Sequence, residues 1–304
     1  MTTEQQSPLM GFCWNEAEGI ESFNKGLLSV VAHDLHGHPH VIGTGFVVKR
    51  SDSRAICVTA AHVFSEVRRL QSAPQRHSSS ALPEFLPPPQ KLDLDRASLR
   101  AVFMEYERVE AAIMEGVIFD EAADIALFSV TLQNPDDQPY FSGEFFPDGH
   151  PPAVGDLVCV LSYANHGIVE YKDHGGQTSS FKLTRRLVLR VGRVLAHYLD
   201  GHRLCRGPCI ETSIPVYSGM SGGPAFRYGT EGAMRPFGLV CSDPDLDSEA
   251  KQNRSIEGRS IFALLSCQPS GNDAGTQSVA LGLQISDGAG HFKSFERLVH
   301  PRNA

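Results

Sequence analysis

A serine, a histidine and an aspartate, far apart in a chain of 304 residues, sit in segments whose local pattern suits covalent catalysis. The serine is Ser221, in the run Gly219-Met220-Ser221-Gly222-Gly223-Pro224. The histidine is His62, which closes Val58-Thr59-Ala60-Ala61-His62, and the aspartate is Asp124, in Ala123-Asp124-Ile125-Ala126-Leu127. A serine hydroxyl is a poor nucleophile at neutral pH because its proton is hard to remove, and an imidazole within hydrogen-bond reach can take it. The imidazole needs a buried carboxylate to fix its tautomer and to stabilise the imidazolium. Acyl transfer further needs backbone N–H donors aimed at the developing oxyanion. Glycines around the serine let the backbone turn tightly and approach a substrate with no Cβ in the way. Taken singly, a histidine after an apolar strand or an aspartate beside one is more often structural. The glycine-rich serine turn is the strongest of the three.

Stepping outward from these residues, the chain that must carry them reads as β structure. GLLSVVAHDL and VIGTGFVV are apolar, rich in β-branched residues and separated by HGHPH, a hairpin signal. RAICVTAAHVF follows and ends in a short helical turn, and LRAVFMEY and ADIALFSV read as further strands. A second set comprises GDLVCVLSY, FKLTRRLVLRVGRVLAHYL, CIETSIPV, PAFRYG, FGLVCS and SIFALLS, with SVALGLQIS as a further strand and GHFKSFERLVH as a short terminal helix. Residues 71–90 are rich in Ser and Pro and read as a surface insertion, and 243–258 as an acidic loop. The division is a polar arm over 1–22, a first β unit over 23–130, a linker over 131–153, a second β unit over 154–267 and an extension over 268–304. Two packed all-β units in one functional domain follow.

Composition narrows the function. The formal net charge is −8, so a phosphate backbone gains nothing from the chain and nucleic acid is not its expected partner. No apolar run approaches the ~20 residues of a membrane helix, and MTTEQQSPLMGFCWNEAEG lacks the basic and apolar regions of a secretory leader. The seven cysteines form no disulfide framework. These features lead to the expectation of a cytoplasmic protein with mostly free, buried thiols and no membrane partner.

The three segments together, in the order His, Asp, Ser, resemble the trypsin-like, chymotrypsin-fold serine peptidases. GTGFVV, Ala153-Val154-Gly155-Asp156 with LVCVLSYAN, CIETSIPVYSGMSGGPAF and FGLVCS look most like the bacterial high-temperature-requirement branch, over roughly residues 25–267. The resemblance implies two packed six-stranded antiparallel β-barrels. It implies a serine endopeptidase in which Ser221 attacks the carbonyl, His62 is the general base and Asp124 orients it. It implies an oxyanion hole formed by the backbone N–H groups of Gly219 and Ser221, a protein or peptide substrate, and no organic cofactor or metal.

The chain also departs from that family. Met220 stands where digestive members carry the aspartate that receives a newly cut N-terminus, and no Ile-Val-Gly-Gly start is present, so maturation by zymogen cleavage is not expected. Pro215, followed by Val216, stands where trypsin carries its specificity aspartate, which predicts a small or medium apolar residue beside the scissile bond. Only residues 268–304 follow Cys267, too few for the peptide-binding domain that this branch often adds. Two other readings remain open: a silent protease fold kept for binding, or a peptidase released by a regulatory protein partner. The run His33-Asp34-Leu35-His36-Gly37-His38-Pro39-His40 reads as an exposed turn before a metal site. His197, His202, Cys205 and Cys209, spaced H-x4-H-x2-C-x3-C, match no standard zinc pattern, although a structural zinc or a redox-sensitive Cys205–Cys209 pair remains open. Cys57 and Cys241 read as core thiols.

Overall fold

The computed structural model describes residues 26–51, 54–71, 99–105, 108–131, 144–148, 150–172, 178–229, 235–242 and 259–265, with short strands at 3–6, 13–17, 90–91, 267–269, 279–281, 284–286 and 292–294. Six strands form the first unit: β1 (Leu27–His33), β2 (Pro39–Ser51), β3 (Arg54–Thr59), β4 (Leu99–Glu105), β5 (Arg108–Asp120) and β6 (Ile125–Thr131). They pair antiparallel in the order β5-β4-β1-β2-β3-β6, and β6 pairs back onto β5, which closes a barrel. Closure removes the unpaired sheet edges that would otherwise invite association.

The second unit comprises β7 (Leu157–Lys172), β8 (Thr178–Tyr198), β9 (Cys209–Thr212), β10 (Pro224–Arg227), β11 (Pro236–Ser242) and β12 (Ser260–Leu264). Its order is β8-β7-β10-β11-β12-β9, with β9 pairing back onto β8. The fold is therefore the expected chymotrypsin-like double barrel. Cys13–Ala17 adds a strand beside β8 at Leu189–Val191, within the stretch expected to be a polar arm. Phe292–Ser294 is a strand paired with Gln284–Ser286, not the terminal helix expected there. The 71–90 insertion and the 243–258 loop lie outside the described residues, apart from Gln71 and the strand at Gln90.

Aromatic packing joins the barrels. Phe145, in the segment between them, meets Phe46 of β2 at 5.9 Å and Phe226 of β10 at 5.5 Å between ring centroids. Each such pair contributes about 0.5–1.5 kcal/mol beyond its buried area. Phe145 N donates to Val47 O and Asp148 N to Pro236 O, so this part of the expected linker is fastened to both units. The long β7–β8 hairpin also reaches across. Arg185 donates from Nη1 to Ser29 Oγ at 2.6 Å and to Val102 O at 3.1 Å, and Glu170 pairs with His38 at 2.9 Å.

The single helix among the described residues, α1 (Ala61–Gln71), is longer than the short turn expected after β3. Ala61, Val63, Phe64 and Val67 give it a buried face, and Phe64 meets Phe128 edge-on at 6.0 Å. Arg68 and Arg69 sit in its last turn, where cations favour the helix dipole. No helix among the described residues is long and apolar enough to cross a membrane.

Candidate active site

The turn after β5 sets the aspartate. Asp120 Oδ1 accepts from Ala122 N at 2.9 Å and Ala123 N at 3.2 Å, tightening the chain just before Asp124. Asp124 then adopts φ 53°, a left-handed conformation that aspartate tolerates better than most side chains. This bend aims its carboxylate, only 5% exposed at the residue level, at the start of α1. Asp124 Oδ1 accepts from His62 N at 2.9 Å, and Asp124 O accepts from Ala61 N at 3.2 Å. Asp124 thus satisfies two of the helix's otherwise unpaired N–H groups from outside the helix, while the helix dipole favours its charge.

The same carboxylate holds the imidazole. His62 Nδ1 lies 2.9 Å from Oδ2 and 3.1 Å from Oδ1 of Asp124. A carboxylate only accepts, so Nδ1 carries the hydrogen and Nε2 keeps a free lone pair. Burial pulls the His62 pKa down, but the Asp124 charge, their hydrogen bond and Glu66 outweigh it, leaving the net value above the ordinary 6.5.

The serine turn follows a different logic. Gly219 has φ +88° and Gly222 φ +84°, both in the left-handed region. A Cβ on Gly219 would fall 2.2 Å from His166 Nδ1, and one on Gly222 would fall 2.2 Å from Thr44 O and from Thr59 Oγ1. Only glycine fits either position. Three carbonyls of the turn are held by hydrogen bonds. Gly219 O accepts from Thr44 Oγ1 at 2.8 Å, Met220 O from Ser162 Oγ at 3.0 Å, and Ser221 O from Thr44 N at 2.8 Å. Met220 N, Gly222 N and Gly223 N donate to Tyr217 O, Val240 O and Met220 O. Among the described residues, no acceptor meets the N–H of Gly219 or of Ser221. These are the two donors expected to face an oxyanion.

A buried arginine braces this turn from behind. Arg190 of β8, 3% exposed, donates from Nη1 to Pro215 O at 2.7 Å and touches Met220 Sδ at 3.8 Å. Its guanidinium lies 4.4 Å from the centroid of the Tyr217 ring. Met220 itself is fully buried in the second core and accepts from Tyr217 N at 3.4 Å. The position that carries an aspartate in digestive relatives is here an apolar anchor beside a permanent cation.

His62, Asp124 and Ser221 line one cavity of about 420 Å³, together with Ser65, Glu121, Leu204, Val216, Tyr217 and Cys241. Among the described residues, no hydrogen bond joins Ser221 Oγ to His62. The expected residues thus converge, His62 and Asp124 from the first barrel and Ser221, with Gly219, from the second. Pro215 and Val216 lie at the same turn, and Val216 gives the cavity an apolar wall.

Arg190, Thr44, Ser162 and Cys241 were not legible as site residues. Cys241 is the buried thiol expected from its strand; its Sγ donates to Leu204 O at 3.6 Å and lies within 4.8 Å of the Asp124 carboxylate and the His62 imidazole. A hydrogen bond with Cys205 pulls the Cys241 pKa down, yet burial and the Asp124 charge push it up to about 12. The other clusters are not gathered as metal sites. His38 pairs with Glu170 and His40 with Asp34. Cys209 Sγ donates to the Cys205 carbonyl at 3.7 Å, but His197 and His202 complete no three-donor group with these cysteines among the described residues. Cys57, Cys159, Cys205, Cys209 and Cys241 are free and buried.

A family model described as a trypsin-like peptidase domain matches residues 43–233, more than half of the chain. No curated protein matches. Solved structures similar to this chain include the inactive form of Rv3671c from M. tuberculosis H37Rv, a serine-to-alanine mutant. It is 16% identical over 81% of this chain and 83% of that one, with a TM-score of 0.41. Another is a thermostable serine protease, AL20, from an extremophilic microorganism, 12% identical over 81% of this chain and 93% of that one, with a TM-score of 0.45. At this distance neither bears on what the chain does.

Proposed function

The chain belongs to the trypsin-like peptidase family, and from that premise we propose that it is a serine endopeptidase acting through an acyl-enzyme on Ser221. The observation that carries this reading is the hydrogen-bonded Asp124–His62 pair facing Ser221 across one cavity. His62 Nε2 takes the hydroxyl proton as Ser221 Oγ attacks the peptide carbonyl. Asp124 stabilises the imidazolium that results. The unbonded N–H groups of Gly219 and Ser221 receive the oxyanion, and the imidazolium then protonates the leaving amine. Water repeats the cycle and releases the acid. No metal or organic cofactor takes part in these steps. The apolar wall at Val216, without a carboxylate at Pro215, supports preference for a small or medium apolar residue beside the scissile bond.

A gated form of the same activity has one observation in its favour: Ser221 Oγ is not hydrogen-bonded to His62 in this state. Substrate or a regulatory protein partner would then draw the two together, since such bonds often tighten only in the complex. The free, buried thiols support residence in a reducing compartment, the cytoplasm. The test is cleavage of a peptide library, with pre-steady-state kinetics on an activated ester. The reading predicts apolar cleavage sites and a burst equal to the enzyme concentration. A folded protein that shows neither, with or without cell extract, contradicts it, and cleavage confined to Lys or Arg contradicts the specificity.

A further inference from the structure

We propose that the cavity is also an inhibitory binding site for a soft divalent cation of the Zn²⁺ class, ligated by His62, Asp124 and Cys241. The proposal rests on the peptidase reading only for its consequence, the silencing of His62. The site itself stands on geometry. An imidazole nitrogen, a carboxylate oxygen and a thiol sulfur lie within 4.8 Å of one another, the one such group of three among the described residues. Tetrahedral zinc, with bonds of about 2.0–2.3 Å, sets its donors about 3.3–3.8 Å apart, so small side-chain shifts suffice. All three residues line the cavity, which leaves an approach for the ion and room for water as the fourth ligand.

The donor set also selects the cation. Thiolate and imidazole favour Zn²⁺ over Mg²⁺ or Ca²⁺, which prefer oxygen alone. Cys241 supplies what a serine there would not. A hydroxyl would offer a hard oxygen there, whereas the sulfur adds a soft ligand.

The Cys241 thiol gives its proton to solvent and its sulfur binds the ion, so one proton is released per cation. If the ion takes His62 Nδ1, the ring hydrogen moves to Nε2; if the ion takes Nε2, the lone pair there is consumed. Either way Nε2 can no longer accept the Ser221 proton, and catalysis stops until the ion leaves.

The test separates this claim from the peptidase reading. Metal-free Ser221→Ala protein is titrated with Co²⁺ or Cd²⁺, read as thiolate-to-metal charge-transfer absorption. One equivalent should produce the band, and Zn²⁺ should displace the probe. Adding Cys241→Ser should remove the band. Adding His62→Ala, at a side chain 43% exposed, should keep sulfur ligation but weaken binding at least about tenfold. In the active protein, Zn²⁺ should inhibit reversibly with chelator. Cys241→Ser, measured against its own metal-free rate, should need at least about tenfold more Zn²⁺. Absence of the band, or a band unchanged by both variants, overturns the proposal. A band lost with Cys241 in a protein that hydrolyses nothing leaves the cation site standing and sinks the peptidase reading.

Discussion

The two barrels prepare their halves of the site in opposite ways. In the first, charge and hydrogen bonds saturate the reactive groups. Asp124 accepts from His62 N through its carboxylate and from Ala61 N through its carbonyl, and it pairs with His62 Nδ1. In the second, backbone shape does the work. Two left-handed glycines and a ring of borrowed hydrogen bonds from Thr44 and Ser162 hold the turn, while the groups that would meet substrate carry no partner. Under the proposed mechanism, the base would be fixed before substrate arrives and the nucleophile and oxyanion donors positioned but unspent. Preorganised donors of this kind require no rearrangement as charge develops.

Breaking the charged half should have the larger effect. Asp124→Asn leaves the geometry nearly intact but allows the wrong imidazole tautomer, and kcat should fall on the order of 10⁴-fold, as that substitution does in trypsin. The pH profile sharpens this. A base must be neutral, so kcat/KM should rise with pH through a midpoint above the ordinary imidazole value of 6.5, because the net His62 shift is upward. In Asp124→Asn the burial that lowers this pKa remains while the carboxylate charge is gone, so the residual activity should show its midpoint at lower pH.

Breaking the shaped half should cost less. Gly219→Ala sets a Cβ against the His166 ring at an unfavourable φ, which turns the 219 N–H away. A loss of about 10²–10³ in kcat, with KM little changed, is expected for one oxyanion donor. Arg190→Met keeps most of the volume and removes the brace on Pro215. One lost bond to a charged donor is about 1.5–3 kcal/mol, so kcat should fall about tenfold to a hundredfold. Arg190→Lys should recover part of it. A tetrahedral boronic-acid inhibitor should lose as much affinity as kcat falls, whereas a substrate-like peptide should not. Equal losses for both ligands would make Arg190 a support of the fold alone.

The same contrast explains what the sequence made legible. Strand runs such as LLSVVAH and IALFSVT, bounded by turn residues, announce the barrels, because alternation and β-branching are local signals. The glycine-rich turn at 219–223 is local too, since its φ values demand glycine. The length of α1 was hidden because RAICVTAAHVF reads as a strand ending in only a short helical turn, although Val63, Phe64 and Val67 already carry a helical spacing. Arg190 and Cys241 were hidden for a different reason. Each is a buried side chain within a strand, and its special contact is made with a residue distant in sequence. Alternation shows that such a side chain points inward, not what it meets there.

The most direct test of the central claim is labelling with a fluorophosphonate, followed by peptide mapping of the adduct. The account predicts one phosphonyl group per chain, on Ser221, formed at a rate that follows the His62 titration and absent in Ser221→Ala and His62→Ala. Folded wild-type protein that takes no label, or that carries it on another residue, would contradict an activated serine at this site.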